Sequence, residues 1–382
     1  MIQAAPELFD AVVVGGGVMG GAAALGLAQG GMRVAVVERR ALGTGASGVN
    51  AGTLSLQIKR AALVPYALKG LERWRSTAAR LGFDVHYRRT GGLTCAFTDA
   101  EAETLTQRMA ERKAAGVPLE IVAPERARAL EPGLSANVKL ASWCAEDGYA
   151  HSTLTGRAYR TALINAGVTV IEGEAVERID REGGPAGGFA VATPRRTLRG
   201  RRLVLAGGAW LKPLAKLLGV DFPISVRINT VSVTARMPMA IRTIVGHAFG
   251  LLTLKQSENG TMLIGGGWQG RGSPEQGWSA VDPDALVGNL RLAQYAVPAL
   301  AGAQIVRTWL GFEANTPDMM PLVGPIPGIA DAFVIGCVRG GYTIGPYMGE
   351  LLSQLVLGRE PEMPLFNPAR FNTASADQRL AS

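Results

Sequence analysis

Near its start the chain carries apolar residues in short unbroken runs rather than in alternation. Ala11 to Val14 are all apolar, and so are Val34 to Val37. Runs of this length read as strands buried on both faces, as in a parallel sheet. Between them Ala22 to Gln29 predict a helix, so Asp10 to Glu38 reads as a βαβ unit. Similar runs follow much later. Val168 to Glu172 comes after a predicted helix over Ser152–Ala166 that Gly167 caps, Arg201 to Ala206 ends in Gly207-Gly208, and Phe333 to Cys337 is the last.

Elsewhere the pattern differs. From Ile224 to Gly267 the segments Ser225–Thr234, Ala248–Gln256 and Thr261–Gly265 alternate, which predicts an antiparallel sheet and hence a second domain. Amphipathic or capped stretches predict helices over Pro65–Leu81, where Leu68, Leu71 and Trp74 share a face, and over Ala100–Ala115, Pro124–Leu130, Asp282–Val297 and Tyr347–Leu357. Thr90 to Phe97 reads as a turn and a strand. Val338 to Pro346 reads as a turn, Arg39 to Gln57 as a glycine-rich polar loop, and Phe366 to Ser382 shows no periodicity. The fold class is α/β: a Rossmann-like domain with an inserted α+β domain built on an antiparallel sheet.

Composition narrows this picture without redirecting it. With 382 residues and 47% hydrophobic content, the chain has room for two domains or one intertwined pair. Its net charge of +8 is dispersed, and no basic stripe carries interleaved aromatics, which excludes nucleic-acid binding and favours anionic ligands or an acidic partner chain. Three scattered cysteines, Cys95, Cys144 and Cys337, exclude a disulfide framework and any zinc or iron–sulfur site held by this chain alone. They fit a reducing cytoplasm. The uncharged window Ala11–Met32 holds eight glycines and follows Glu7 and Asp10, which argues against a transmembrane helix or a signal peptide and leaves peripheral membrane association open.

The chemistry starts at Gly15, Gly17 and Gly20, a G-x-G-x-x-G turn between strand and helix. Gly15 permits the tight turn, Gly17 lets backbone approach a pyrophosphate, and Gly20 allows close helix–strand packing. The helix N-terminus offers N–H groups to phosphate, and Glu38 can accept both ribose hydroxyls. A nicotinamide dehydrogenase keeps such strands together over roughly 150 residues. Here they are spread over residues 11–37, 168–172, 201–206 and 333–337 with β-rich material between, which suits FAD, a longer dinucleotide buried along most of its length.

The opening unit, Thr90-Gly-Gly-Leu, Asp147-Gly-Tyr-Ala-His, Leu205-Ala-Gly-Gly-Ala-Trp, Thr316-Pro-Asp-Met-Met-Pro-Leu-Val-Gly-Pro and Gly340-Gly-Tyr-Thr-Ile-Gly-Pro occur in that order. Over residues 9–360 the chain thereby resembles FAD-dependent amine oxidoreductases of the D-amino-acid oxidase and glycine oxidase superfamily. Trp309 to Asp318 and Tyr342 to Pro346 look closest to the catalytic β subunits of heteromeric opine oxidases, D-hydroxyproline dehydrogenases and L-proline dehydrogenases. Stand-alone glycine oxidase-like enzymes carry a carboxylate-binding Arg where this chain has Glu313, which matches the Glu usual in the heteromeric β subunits.

The resemblance implies a discontinuous FAD domain (1–88, 142–215 and 313–365), a substrate domain (89–141 and 216–312) and a tail (366–382). It implies FAD contacts from Val18 and Met19 at the pyrophosphate and from Glu38 and Arg39 at the ribose. Ser47, Asn50, Ala51, Gly52 and Thr53 would run along the flavin, and the Val176 backbone would meet the adenine. Gly207 and Gly208 would lie against the cofactor, while Arg339, Gly340, Gly341, Thr343 and Ile344 would approach the isoalloxazine. It further implies hydride removal from the carbon beside an amine, with the imine then hydrolysed, and a larger α subunit with a small iron–sulfur subunit as partners, FMN lying at the interface.

Several residues keep two readings at this point. Arg339 binds either a substrate carboxylate or flavin and backbone oxygens. Glu313 pairs with a substrate amine or cationic tail, or is a buried structural acceptor. Tyr342 covers the substrate or only packs. His247 and Phe249 border the pocket, with Lys255 and Gln256 near it, and His151 reads as structural. Two other functions remain, a stand-alone D-amino-acid dehydrogenase or oxidase and a non-catalytic subunit that holds FAD for assembly.

Overall fold

The computed structural model describes residues 8–183 and 187–371. Two eight-stranded sheets dominate it. In the first, Thr169–Glu172, Val34–Glu38, Leu8–Val14 and Thr197–Leu205 lie side by side and parallel. The long last strand serves two neighbours on its other edge. Its first half pairs antiparallel with Phe189–Ala192, and its second half pairs parallel with Ala332–Gly336.

The unbroken apolar runs are explained by what covers each face. Ala11, Val13, Val34 and Val36 enter a core shared with the helices Val18–Gln29, Val64–Arg75, Thr155–Asn165 and Gly341–Val356. Val12, Val14, Ala35 and Val37 enter a second core with Leu211, Phe222 and Ile224. Strand side chains alternate between faces, so a strand covered twice must be apolar at every position.

The second sheet runs Ile305–Asn315, Ser225–Thr234, Met262–Gly265, Thr253–Gln256, Ile244–His247, Gly92–Ala96, Leu140–Cys144 and Leu119–Val122. Its neighbours are antiparallel except for Ile244–His247 beside Gly92–Ala96, and a third core lies against it, where Leu254, Met262 and Ile264 meet Ala293 and Ala296 of the helix Pro283–Ala296.

Five expectations need correction, the first being the helix over Pro65–Leu81, which is two, Val64–Arg75 and Thr77–Leu81, parted at Ser76. Ala248–Gln256 is not one strand: a turn over Phe249-Gly250, closed by Gly250 N–H on the His247 carbonyl, separates Ile244–His247 from Thr253–Gln256. Residues 39–57 are not wholly loop, since Ala46–Val49 forms one helical turn and Thr53–Leu54 pairs with Gly148–Tyr149. Helix Val18–Gln29 starts directly after Gly17, four residues ahead of Ala22.

The last helix likewise begins at Gly341 rather than Tyr347 and carries Pro346 inside it. Proline has no N–H to give the carbonyl four residues back. That carbonyl, of Tyr342, instead accepts from Trp74 Nε1 at 3.0 Å, so a buried indole supplies the donor the proline lacks. Of the tail, Pro368–Phe371 forms a short turn of helix, and residues 372–382 lie outside the described residues.

Candidate functional site

The G-x-G-x-x-G turn lies between the two central strands of the first sheet. Gly15 holds φ +113°, and its N–H donates to the Val37 carbonyl at 2.8 Å. A Cβ on Gly15 would overlap the Ala206 carbonyl, and one on Gly20 would overlap the Gly15 carbonyl. Gly17 precedes helix Val18–Gln29, whose first turn carries no side-chain cap and no acidic residue. An uncapped helix N-terminus facing a glycine turn is a ready anion site. Ser47 Oγ accepts the Val18 N–H at 2.9 Å, which sets the Ala46–Val49 turn over that end.

At the far end of the second strand, Glu38 accepts N–H groups from Gly16 at 2.8 Å and Arg40 at 3.0 Å. Its carboxylate is thereby held at the strand tip. Arg39 lies over the Trp210 ring, 4.0 Å from its centroid, and Gly207-Gly208 open the short helical turn that carries Trp210. Val176 follows the Glu174 N–H bond to the Glu38 carbonyl, which brings it beside the same strand end.

A second helix N-terminus faces the other end. Cys337 holds φ +60° and Gly340 φ +69°, a sharp reversal that delivers Arg339 and the uncapped start of helix Gly341–Val356. Asn50 caps its own turn through Nδ2 to the Ala46 and Ser47 carbonyls, and its Oδ1 accepts the Gly52 N–H at 2.6 Å. Thr53 and Thr343 hydroxyls are buried without a hydrogen-bond partner among the described residues. Two uncapped helix ends, a glycine cradle and unsatisfied hydroxyls between them fit a long dinucleotide such as FAD.

Beyond this line Glu313, on the edge strand Ile305–Asn315, gives one oxygen to Asn229 Nδ2 at 2.7 Å. Its Oε1 is buried and unpartnered among the described residues. Burial raises the Glu313 pKa above the usual carboxylate range, with Arg339, Asn229, Arg227 and Lys59 opposing. Arg339 makes no hydrogen bond or ion pair among the described residues, and its Nη2 lies against Gly250 and Gly267 of the second sheet.

The other two pocket candidates go elsewhere. Tyr342 is buried against the Trp74 ring at 4.4 Å, with its hydroxyl 2.8 Å from Thr155 Oγ1. His247 has both ring nitrogens engaged, Nε2 3.2 Å from Glu101 and Nδ1 accepting the Phe249 N–H. Gln256 is likewise taken up, bonding the backbone of Ala240, Pro238 and Gly260.

Lys59 was not singled out by type or spacing, and Asp147 only as the first residue of a motif with no role assigned to it. Lys59 is 3% exposed, and Nζ donates to the Gly340 carbonyl at 2.8 Å. Burial pushes its pKa down to about 8, with Asp147 and Glu313 pulling the other way. Asp147 collects Ser55 Oγ, the Leu56 N–H and Gln57 Nε2, and Gln57 bonds on to Gly92 and Ser142, so this acid ties the 53–59 segment to the second sheet. The Asp147-Gly-Tyr and Thr90-Gly-Gly motifs mark both ends of that tie; nothing local marks Lys59 as buried.

A cleft of about 330 Å³ lies behind the Ala46–Val49 turn, lined by Asn50, Tyr149, His151, Lys255, Arg307 and Trp309 among others. Lys255 is 3% exposed, and its Nζ has no hydrogen-bond partner among the described residues; burial brings its pKa down to about 7. Among the described residues no cluster of His, Cys, Asp or Glu is fit to hold a metal, and no helix is long and apolar enough to cross a membrane.

A family model described as "FAD dependent oxidoreductase" matches residues 10–355. Glycine oxidase of Geobacillus kaustophilus (strain HTA426) is 28% identical over 367 residues, covering 94% of this chain and 95% of that protein. One of the subunits of opine oxidase from Agrobacterium tumefaciens (strain Ach5) is 26% identical over 379 residues, with 96% and 99% covered. The crystal structure of L-proline dehydrogenase from P. horikoshii superposes with a TM-score of 0.88 at 25% identity, covering 97% of this chain and 99% of that one.

Proposed function

We propose that this chain, which belongs to the FAD-dependent oxidoreductases, oxidises the C–N bond of an amino acid or N-substituted amino acid. D-amino acids, proline, hydroxyproline, opines and sarcosine are substrate types of this kind. The observation that carries this is the pairing of an unengaged guanidinium, Arg339, with an unpartnered carboxylate oxygen, Glu313 Oε1, beside the start of helix Gly341–Val356. Arginine's planar fork suits a carboxylate and Glu313 suits an amine, so the two together complement an amino acid. Bound FAD supplies the two-electron acceptor. The chain's own contribution is orientation, holding the α C–H toward that acceptor while the imine product leaves for hydrolysis.

A domain division goes with this reading. Residues 1–88, 142–215 and 313–365 would hold FAD, and 89–141 with 216–312 would close over the substrate. FAD contacts are assigned to Gly15, Gly17, Val18, Met19, Gly20, Glu38, Arg39, Ser47, Asn50, Ala51, Gly52, Thr53, Val176, Gly207, Gly208, Gly340, Gly341, Thr343 and Ile344.

The finer reading is a catalytic β subunit that passes electrons to a larger α subunit and a small iron–sulfur subunit. The similarity to one of the subunits of an opine oxidase supports it. So does the edge strand Ile305–Asn315, hydrogen-bonded on one side and carrying Val306 at 63% exposure beside the cleft. A cleft joining a buried lysine and an arginine to Tyr149 and Trp309 suits an aromatic phosphate such as FMN at a subunit interface. The three free, buried cysteines fit a cytoplasmic location.

Anaerobic mixing of the FAD-loaded protein with a panel of these amines tests the reaction. Bleaching of the flavin band by one class identifies the substrate, whereas no bleaching by any amine leaves the non-catalytic assembly subunit standing. Co-purification of a larger subunit, with FMN recovered beside FAD, is expected for the heteromeric form. A chain that turns over alone with oxygen would make it a stand-alone oxidase.

A further inference from the structure

We infer that Glu313 is the base that takes the proton from the substrate ammonium through Oε1 before the α C–H bond breaks. The inference rests on the amine-oxidising reading above and assigns one residue a chemical step within it. A protonated amine has no lone pair, and loss of a hydride from the neighbouring carbon requires one to form the C=N bond. The proton must therefore leave first, to an acceptor within hydrogen-bond reach.

Glu313 is built for that transfer. It stands opposite Arg227 in the ladder with strand Ser225–Thr234, which fixes the backbone on one side. Oε2 accepts Asn229 Nδ2 at 2.7 Å, and Asn229 Oδ1 in turn accepts Gln269 Nε2 at 2.7 Å, so the amide cannot flip and the carboxylate cannot rotate freely. Oε1 is left buried with its lone pairs unused. Burial raises its affinity for a proton, and the charged groups bearing on it, Arg339, Arg227 and Lys59, oppose that rise in part.

Of the other titratable groups three are committed, and Lys255, whose Nζ has no partner among the described residues, lines the Tyr149–Trp309 cleft, whose lining does not include Glu313. Asp147 is enclosed by three donors, Lys59 donates to the Gly340 carbonyl, and His247 is held by Glu101 and Phe249.

The step balances without an added reagent. The N–H bond breaks, its electron pair stays on nitrogen, and the proton goes to Oε1. Bound FAD would supply the two-electron acceptor for the C–H pair and its hydrogen, while the nitrogen lone pair would form the C=N bond of the oxidised product. Glu313 afterwards returns its proton to solvent.

The test is anaerobic stopped-flow reduction of the FAD-loaded protein by the most active amine of the panel, from pH 6 to pH 10. Wild-type protein should lose its apparent second-order rate only below the pKa of Glu313. Glu313→Gln should be slowed about 100-fold at pH 7 and recover about tenfold per pH unit as free amine accumulates. The same variant should lose a pH-dependent shift of the resting flavin spectrum whose midpoint matches the kinetic limb in the wild type. Glu313→Asp, which keeps a carboxylate, should retain that limb at a lower rate and serves if the glutamine variant fails to hold FAD. An equal loss for Glu313→Gln at every pH, or an unchanged profile, overturns the assignment while leaving amine oxidation intact. Absence of reduction by any amine overturns both.

Discussion

Lys59 Nζ donates to the carbonyl of Gly340 at 2.8 Å, joining the segment after the Ala46–Val49 turn to the residue that starts helix Gly341–Val356. A Cβ on Gly340 would lie 2.8 Å from that nitrogen, so the lysine fills the space beside the left-handed residue. Lys59→Met removes the donor and leaves a carbonyl short of a partner, a loss of about 1–3 kcal/mol. FAD should then dissociate about tenfold more readily on dialysis, read from retained absorbance. Equal retention in the two proteins would remove Lys59 from any part in holding the site.

Arg339 is free to meet a carboxylate. Arg339→Met should raise the dissociation constant for the reducing amino acid about 100-fold with unchanged flavin content, and Arg339→Lys should recover only part of it, because a point charge lacks the bidentate fork. Titration of anaerobic flavin reduction measures both. A matching loss with the corresponding amine that lacks the carboxylate would show that Arg339 does not read that group.

Lys255 is charged at a cost. Its folded pKa of about 7 lies below the ordinary 10.5, so the unfolded chain binds more protons between those values and stability rises with pH across that window. Below about pH 7 the whole penalty is present. Lys255→Met should therefore stabilise the FAD-loaded chain alone by on the order of 4 kcal/mol at pH 6, with the gain fading toward pH 10.5. Denaturant melts at pH 6 and pH 10 decide it: a gain independent of pH would mean that Lys255 is not a buried cation. The same substitution should abolish any FMN binding to the cleft.

Gly20→Ala places a methyl group against the Gly15 carbonyl and, at 2.9 Å, against Ala206 Cβ. Neither backbone can give way without shifting the central strands, so the variant should lose about 2–3 kcal/mol and purify with little FAD. Thermal melts and the ratio of flavin to protein absorbance report the two effects separately. A variant as yellow as wild type would mean that the turn is looser than its contacts indicate.

The elements legible in the sequence were those whose burial is complete or one-sided. Val34–Val37 reads correctly because both faces are covered, and Ser225–Thr234 because one is. Arg178–Arg181 and Leu119–Val122 escape notice, being four residues long, the first with only Ile179 buried and the second with exposed positions between its buried ends. The start of the last helix was misread because Pro346 signals a break, and its remedy, Trp74, lies far away in sequence. In the site, glycines announce themselves through spacing and Glu313 through its departure from a family pattern. Lys59 does not, since a lysine in Gln57-Ile-Lys-Arg looks like surface until the turn before a helix from far along the chain takes up its Nζ. Tyr342 and His247 were placed by type; in the structure one stacks on Trp74 and the other meets Glu101, partners that spacing did not indicate.

Helix Gly341–Val356 crosses helix Val18–Gln29 so closely that a Cβ on Gly349 would sit 2.5 Å from Ala22 Cβ, and Gly345 abuts Val18. The cofactor cradle thus has its floor at one end of the described chain and a wall at the other. During synthesis the first βαβ unit must wait for the last helix to leave the ribosome before its apolar flank is covered, since contacts of such sequence separation form late. A nascent chain arrested before residue 341 would present Ala22, Ala23 and Val18 to chaperones rather than to FAD. Binding of FAD between the two helices would then favour the state in which both are in place, so the folded fraction should rise with flavin concentration.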